Sequence, residues 1–363
     1  MTNIGSRNMI HRLRRTLARA GSLKPHLGRL HVALDAAEQE AKAGVAIECL
    51  VEACAERPIE SHVIPDAFLK SVAGSGRPIA PHLEGGEKAG FAPLSARTTP
   101  VFSGYCSTHD TGLFPWETKK DLSAPLVAES QLMRVADAMW FEFRLRARIL
   151  DRTAAAISQE ATEAWGVSIG TEARSALEMW HDSWRASSEE LRRSVDDMDG
   201  LRLSLRRNLG MVEDGGPRAV VGSVSIPAVP RVPLQIADGG WIPDWHPIDG
   251  ASRRPAPFVI SVLRNEHGAR LMVASTPAAA TVVQRMEAEF ATDAQAATAY
   301  AIHWMRHGNF SWYLDPEAWD LVDDQTRARL AVELERSPFV AAAMHGGSRL
   351  ESHPILRWGN GWS

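Results

Sequence analysis

Cysteine is scarce in this chain: three residues in 363. An odd and small count does not build the disulfide framework of a secreted domain. Long apolar runs are missing as well. None reaches the roughly 18–20 residues that a membrane-crossing helix requires, and the N-terminus lacks the compact apolar segment and small-residue cleavage site of a secretory signal. These absences lead us to expect no membrane partner and a reducing, cytoplasmic home. The net charge is −4, so no global positive field points to nucleic acid, although a local basic patch stays open. We find no P-loop, no glycine-rich dinucleotide motif and no G-x-S-x-G. Tyrosine is rare against tryptophan, three to twelve, and the tryptophans are expected in helix and sheet packing.

Acidic residues are missing from the whole N-terminal stretch before Asp35, which carries Arg12, Arg14, Arg15 and Arg19 among other cations. Residues 1–30 therefore read as a basic arm whose arginines could meet the phosphates of DNA or RNA. An acid-poor transit peptide and an ordinary amphipathic helix with a solvated basic face are the competing readings, because Ile10, Leu13, Leu17 and Ala20 recur at helical spacing.

What is present is an ordinary hydrophobic share, 45%, on a length that suggests two or three domains. Residues 31–122 read as one module. Its first part is helical, "IESHVI" suits a short strand between Pro58 and Pro65, and residues 71–100 are rich in Gly, Pro, Ser and Ala, so they read as a long loop or loose hairpin. Residues 123–212 show apolar positions at helical spacing in two blocks and predict a long helical hairpin. Residues 213–363 turn to β-branched runs, including two joined by "NEHG" at a hairpin turn, followed by helix. The fold class expected is α+β.

The cysteines stand in a telling pattern. Cys49 and Cys54 are spaced C-x4-C, and Cys106 and His109 are spaced C-x2-H. Each pair can reach one tetrahedral ion, and the four together form a Cys3His set suited to Zn²⁺. The set uses every cysteine of the chain. The competing reading is three buried cysteines acting as small apolar residues, although Cys106 lies between Gly104 and polar "STHD" rather than in an apolar run.

The order "C-x4-C … SHVIP … C-x2-HD" resembles a treble-clef zinc module and, more closely, the HNH or ββα-metal nuclease family, over roughly residues 45–120. The resemblance implies a zinc-stapled N-terminal module in which His62 is the general base and Asp110 a ligand of a catalytic Mg²⁺ or Mn²⁺ ion. Ser61 stands where that family has an acidic residue or His, and residues 63–105 contain no Asn, so the family's middle Asn is missing. Glu60, Glu117 and His82 are the candidates to replace it, and a capping or core role is the alternative for His62. The blocks "SHVIPDAFL", "FSGYCSTHDTGLFPWE" and "GNFSWYLDPEAW" also resemble a family of bacterial proteins without an assigned activity, which groups Asp110, Phe114 and Glu117 with His109.

Other clusters are weaker. "WIPDWHPIDG" could line a pocket but reads as a loop anchored by tryptophan. His303 and His307 have the i,i+4 spacing of metal ligands without a supporting carboxylate, and His181 and Asp182, as helix neighbours, are expected to point apart. The functional expectation is a metal-dependent nuclease, with a role in defence against foreign DNA suggested only by where such modules occur. The alternative is a non-catalytic zinc-stapled protein whose C-terminal domain binds a protein or small ligand.

Overall fold

The computed structural model describes residues 27–43, 48–73, 76–84, 88–93, 101–159, 171–227, 234–242, 256–292 and 312–328. Helix and strand are mixed, as expected for an α+β chain. The contacts divide the chain into two units, neither continuous in sequence. The first takes residues 1–59, 103–106 and 140–196, and the second takes 60–102, 107–139 and 197–363.

Two long helices, α5 (Val127–Gln159) and α6 (Thr171–Asn208), match the helical hairpin expected over 123–212. On α5 the apolar stripe is buried: Leu132, Val135, Met139, Phe143 and Leu150 all lie in the core. Polar pairs set their antiparallel direction. In the first unit Ser188 Oγ donates to Asp151 Oδ1 at 2.6 Å and to the Ala147 carbonyl at 3.1 Å. In the second unit Arg202 Nε and Arg206 Nη2 reach Asp137 at 2.6 and 3.0 Å. Moving forward along α5 from Asp137 to Asp151 therefore moves backward along α6.

The first unit also contains α1 (Leu27–Ala43), which buries Leu34, Ala37 and Ala41 at i, i+3 and i+7. The second unit is built on a seven-stranded sheet. Its strands are β2 (Ile79–Glu84), β3 (Lys88–Pro93), β5 (Val220–Pro227), β6 (Leu234–Ile242), β7 (Ala256–Asn265), β8 (Gly268–Ser275) and β9 (Trp312–Leu314). They lie in the order β3-β2-β9-β6-β7-β8-β5, with antiparallel neighbours. The hairpin read from "NEHG" is the β7–β8 turn, where Asn265 pairs with Gly268 and Asn265 Oδ1 accepts from the His267 N–H at 2.9 Å. Gly268 has φ 146, a conformation that disfavours a side chain.

Residues 79–84 and 88–93, within a stretch expected as loop or loose hairpin, form the antiparallel pair β2–β3, and β2 joins the sheet through β9. The sheet thus takes strands from both sides of the boundaries expected near 122 and 212. The reason is physical: a hairpin with an open edge and an apolar face is completed by whichever strand covers it, and no local pattern states the partner.

Alternation along the strands gives the sheet two different faces. Phe258, Ile260 and Val262 of β7 share one face with Ile236, Leu271 and Val273, and pack with Val283 and Met286 of α7 (Ala280–Thr292) and Trp319 of α8 (Pro316–Asp320). The opposite face carries buried polar residues. Ser261 Oγ accepts from Gln131 Nε2 of α5 at 3.2 Å, and Gln235 Nε2 donates to the Phe68 carbonyl of α2 (Asp66–Ala73). This second face seats α5, which carries Arg134, and α2.

Asp137 is fully buried between Arg202 and Arg206. Asp137→Ala removes the buried carboxylate that Arg206 and Arg202 share, with Arg202 keeping Asp199 at 2.6 Å, and a loss of about 3–5 kcal/mol is expected. Urea denaturation followed by circular dichroism checks it; a loss under about 1 kcal/mol, the worth of an exposed pair, would show that solvent already reaches the site.

Candidate metal centre and the adjoining charged cluster

Residues 49–59 fold into a knuckle. The Cys49 N–H donates to the Glu56 carbonyl at 3.1 Å and the Cys54 N–H to the Val51 carbonyl at 3.2 Å. Ala53 takes the left-handed conformation, φ 60, to close the turn between the two cysteines. Two further bonds tie the knuckle to the segment after β4 (Val101–Ser103): Leu50 N–H to the Gly104 carbonyl at 2.8 Å and Ile59 N–H to the Tyr105 carbonyl at 2.7 Å. Cys106 is thereby brought against Cys49, whose Sγ accepts the Cys106 N–H at 3.3 Å. Helix α3 (Ser107–Leu113) starts at the next residue and presents His109.

The ligand atoms of Cys49, Cys54, Cys106 and His109 all lie within 4.8 Å of one another. The Cys54 and Cys106 sulfurs are 3.9 Å apart, and none of the three cysteines is in a disulfide. Two thiolates at about 2.3 Å from a tetrahedral zinc stand about 3.8 Å apart, so this separation fits a shared ion. The four residues are close enough to hold a metal ion, and the donor set is compatible with zinc.

A charged cluster lies in the second unit, with Asp110 next in sequence to His109. His62 ends β1 (Glu60–His62), a strand that pairs with β4. It is half-buried, and its ring is held below the ordinary imidazole value chiefly by burial, with Arg134 acting in the same direction and Asp66, Asp110 and Glu60 opposing. Asp110 follows His109 on α3. Glu117 lies on α4 (Trp116–Lys119), and burial pushes its carboxyl up against the opposing pull of Arg134.

Arg134, from α5, is only 1% exposed. Its Nη1 pairs with Glu117 Oε1, and its Nη2 faces Asp110 Oδ1 at 3.9 Å, an ionic contact longer than a hydrogen bond. Its Cζ sits 3.5 Å from the centre of the Phe114 ring, a stacked cation–π arrangement. One turn earlier, Gln131 Nε2 donates to the carbonyl of Val63, the residue after His62, at 3.1 Å. Trp116 Nε1 donates to Ser130 Oγ at 2.9 Å and fixes the start of α4. Three residues of one helix thus hold the segments bearing His62, Asp110 and Glu117.

The sequence-predicted residues are accordingly split. Cys49, Cys54, Cys106 and His109 converge closely enough to hold a metal ion, and Asp110 is one of the charges that act on His62. Of the proposed replacements for the missing Asn, Glu117 joins the cluster, Glu60 is exposed beside His62, and His82 lies on β2 in the seven-stranded sheet. Arg12, Arg14, Arg15 and Arg19 lie outside the described residues, as do His303, His307 and positions 243–250. His181 and Asp182, expected to point apart, meet at 3.1 Å on the surface of α6, because the exposed carboxylate swings along the helix toward the ring. Gln131 and Arg134 were not singled out from the sequence. Their only signal is a polar pair at i, i+3 inside the apolar stretch "QLMRVADAMW".

Purified protein is expected to contain one zinc per chain, with Cys106→Ser removing it and unfolding the knuckle, since metal binding and folding are coupled. Elemental analysis that finds no zinc in the wild type would refute the assignment. No family model matches the chain, and neither the curated proteins nor the solved structures contain a match to it.

Proposed function

We propose that the chain is a zinc-stapled, HNH-like hydrolase of phosphodiesters, acting on DNA or RNA with a second, catalytic divalent ion. The observation that carries the reading is the Cys3His cluster, with ligand atoms within 4.8 Å of one another, together with the place of His62 on the strand after the first cysteine pair and of Asp110 directly after His109. The chain order of knuckle, strand pair and short helix, with two ligands before and two after, supports a treble-clef arrangement. In this reading Cys49, Cys54, Cys106 and His109 hold a structural Zn²⁺.

The electrostatics support a cation-dependent reaction. Glu60, Asp66, Asp110 and Glu117 face His62 or one another, against Arg134 and against Lys70, which pairs with Asp66 at 2.5 Å. Four carboxylates against two cations repel a phosphodiester, so the substrate needs a compensating ion. Asp110 is the residue to hold Mg²⁺ or Mn²⁺, which when bound supplies positive charge to the scissile phosphate. His62 removes a proton from the attacking water. Its burial keeps the imidazole neutral, the form a base requires at pH 7.

A second reading is favoured by the Arg134 ion pairs. If the carboxylates serve only to neutralise a buried arginine, the module is a zinc-stapled scaffold, and residues 213–363 bind a protein or small ligand. A second bound metal separates the two readings.

Cleavage of single- and double-stranded oligonucleotides with Mn²⁺ tests the proposal. His62→Ala is expected to lower the rate by about 10²–10⁴-fold while leaving zinc content and solubility intact. Loss of zinc in that variant would place His62 in the scaffold instead. The pH profile adds a check. Because burial lowers the His62 pKa, the neutral base persists to lower pH, and the acid limb of kcat/KM should fall below pH 6.5. An acid limb above 6.5 would contradict the assignment.

A further inference from the structure

We propose that Cys54 is the oxidant-reactive thiol of this chain and Cys106 its resolving partner, so that a peroxide closes a Cys54–Cys106 disulfide in place of the metal. The inference goes beyond the hydrolase reading and does not depend on it.

Geometry selects the pair. The chain has three cysteines, all in the Cys3His cluster, so any internal disulfide must draw on them. The Cys54 and Cys106 sulfurs stand 3.9 Å apart, although the residues are 52 positions apart in sequence. The segments that carry them are already joined by backbone hydrogen bonds, Leu50 N–H to the Gly104 carbonyl at 2.8 Å and Ile59 N–H to the Tyr105 carbonyl at 2.7 Å. Both segments belong to the first unit, so bringing the sulfurs together is a local movement.

Exposure selects the order. Cys54 is half-buried, whereas Cys49 is 7% exposed and Cys106 1%. Access decides which thiol meets a dissolved oxidant. Cys49 Sγ also accepts the Cys106 N–H at 3.3 Å, a bond that a thiolate keeps and a disulfide sulfur holds less well. A Cys54–Cys106 link leaves that acceptor as it is.

The chemistry balances with peroxide as the oxidant. Metal coordination keeps the thiols deprotonated, and the thiolate is the nucleophile. The Cys54 sulfur attacks a peroxide oxygen: an S–O bond forms, the O–O bond breaks and hydroxide leaves. The Cys106 sulfur then attacks the sulfenic sulfur of Cys54: the S–S bond forms, the S–O bond breaks and a second hydroxide leaves. The two sulfurs give up two electrons to peroxide, and two protons from solvent convert both hydroxides to water. The donor set falls from four to two, Cys49 and His109, short of the four that a structural zinc site requires, so zinc is released. The new bond keeps the knuckle tied to residues 103–106. Chelation under reducing conditions removes the metal and leaves no such bond, so the two routes to metal-free protein give different knuckles.

The zinc-loaded full chain treated with hydrogen peroxide is the test. Zinc release is followed with a chromophoric chelator, and disulfides are mapped by mass spectrometry of alkylated, non-reduced peptides. Loss of the bound zinc is expected together with a Cys54–Cys106 link, both reversed by dithiothreitol and Zn²⁺. With limiting iodoacetamide, Cys54 is expected to be alkylated before Cys49 and Cys106. Residues 49–59 should resist proteolysis in the oxidised protein and be cut in reduced protein stripped by EDTA. A link that uses Cys49, oxidation of Cys54 to sulfinic acid with Cys106 still a thiol, or zinc retained under peroxide overturns the proposal. In a chain purified without zinc the metal assignment falls and the peptide map decides the thiol pair alone: a Cys54–Cys106 link supports it, and any other product overturns it.

Discussion

Three sulfurs and one imidazole crowded within 4.8 Å of one another are the constraint on which the site depends. Three sulfurs and an imidazole at that separation can share one tetrahedral ion, and the backbone brings them there. The left-handed turn at Ala53, the two hydrogen bonds from the knuckle to Gly104 and Tyr105, and the Cys106 N–H on Cys49 Sγ all serve the same convergence. Helix α3 begins directly after Cys106, and Asp110 follows His109 in sequence.

The second constraint is the buried charge of Arg134. A cation almost without solvent demands carboxylates, and the chain supplies two that are themselves partly exposed. Such a group both stabilises and restricts. It offsets part of the repulsion between Asp110 and Glu117, and it stacks on Phe114, which links the helices carrying them. The depressed basicity of His62 follows from the same surroundings, since burial and the arginine both oppose its protonation while Asp66, Asp110 and Glu60 only partly offset them.

The sheet of the second unit holds the helix that bears Arg134. Its one face is a conventional apolar core with α7, while its other face holds Ser261 and Gln235, whose partners are Gln131 on α5 and the Phe68 carbonyl on α2. Buried polar groups of this kind require partners at defined angles, whereas apolar contacts tolerate sliding. Helices α5 and α2 are therefore registered on the sheet by hydrogen bonds as well as by packing.

The sequence by itself determined the features that are local. Ligand types and their C-x4-C and C-x2-H spacings are legible because a knuckle and a helix start each lie within a few residues. The long helices are legible from the stripe Leu132, Val135, Met139, Phe143 and Leu150, and the β7–β8 turn from "NEHG". Only the tertiary structure decided that β2 and β3 would share a sheet with strands more than a hundred residues downstream, that β4 would pair with β1, and that Arg134 would meet Glu117 and Asp110. Those choices depend on covering whole apolar faces and compensating one buried charge. Both are settled by what else has folded nearby, and neither leaves a periodic mark on the residues that answer it.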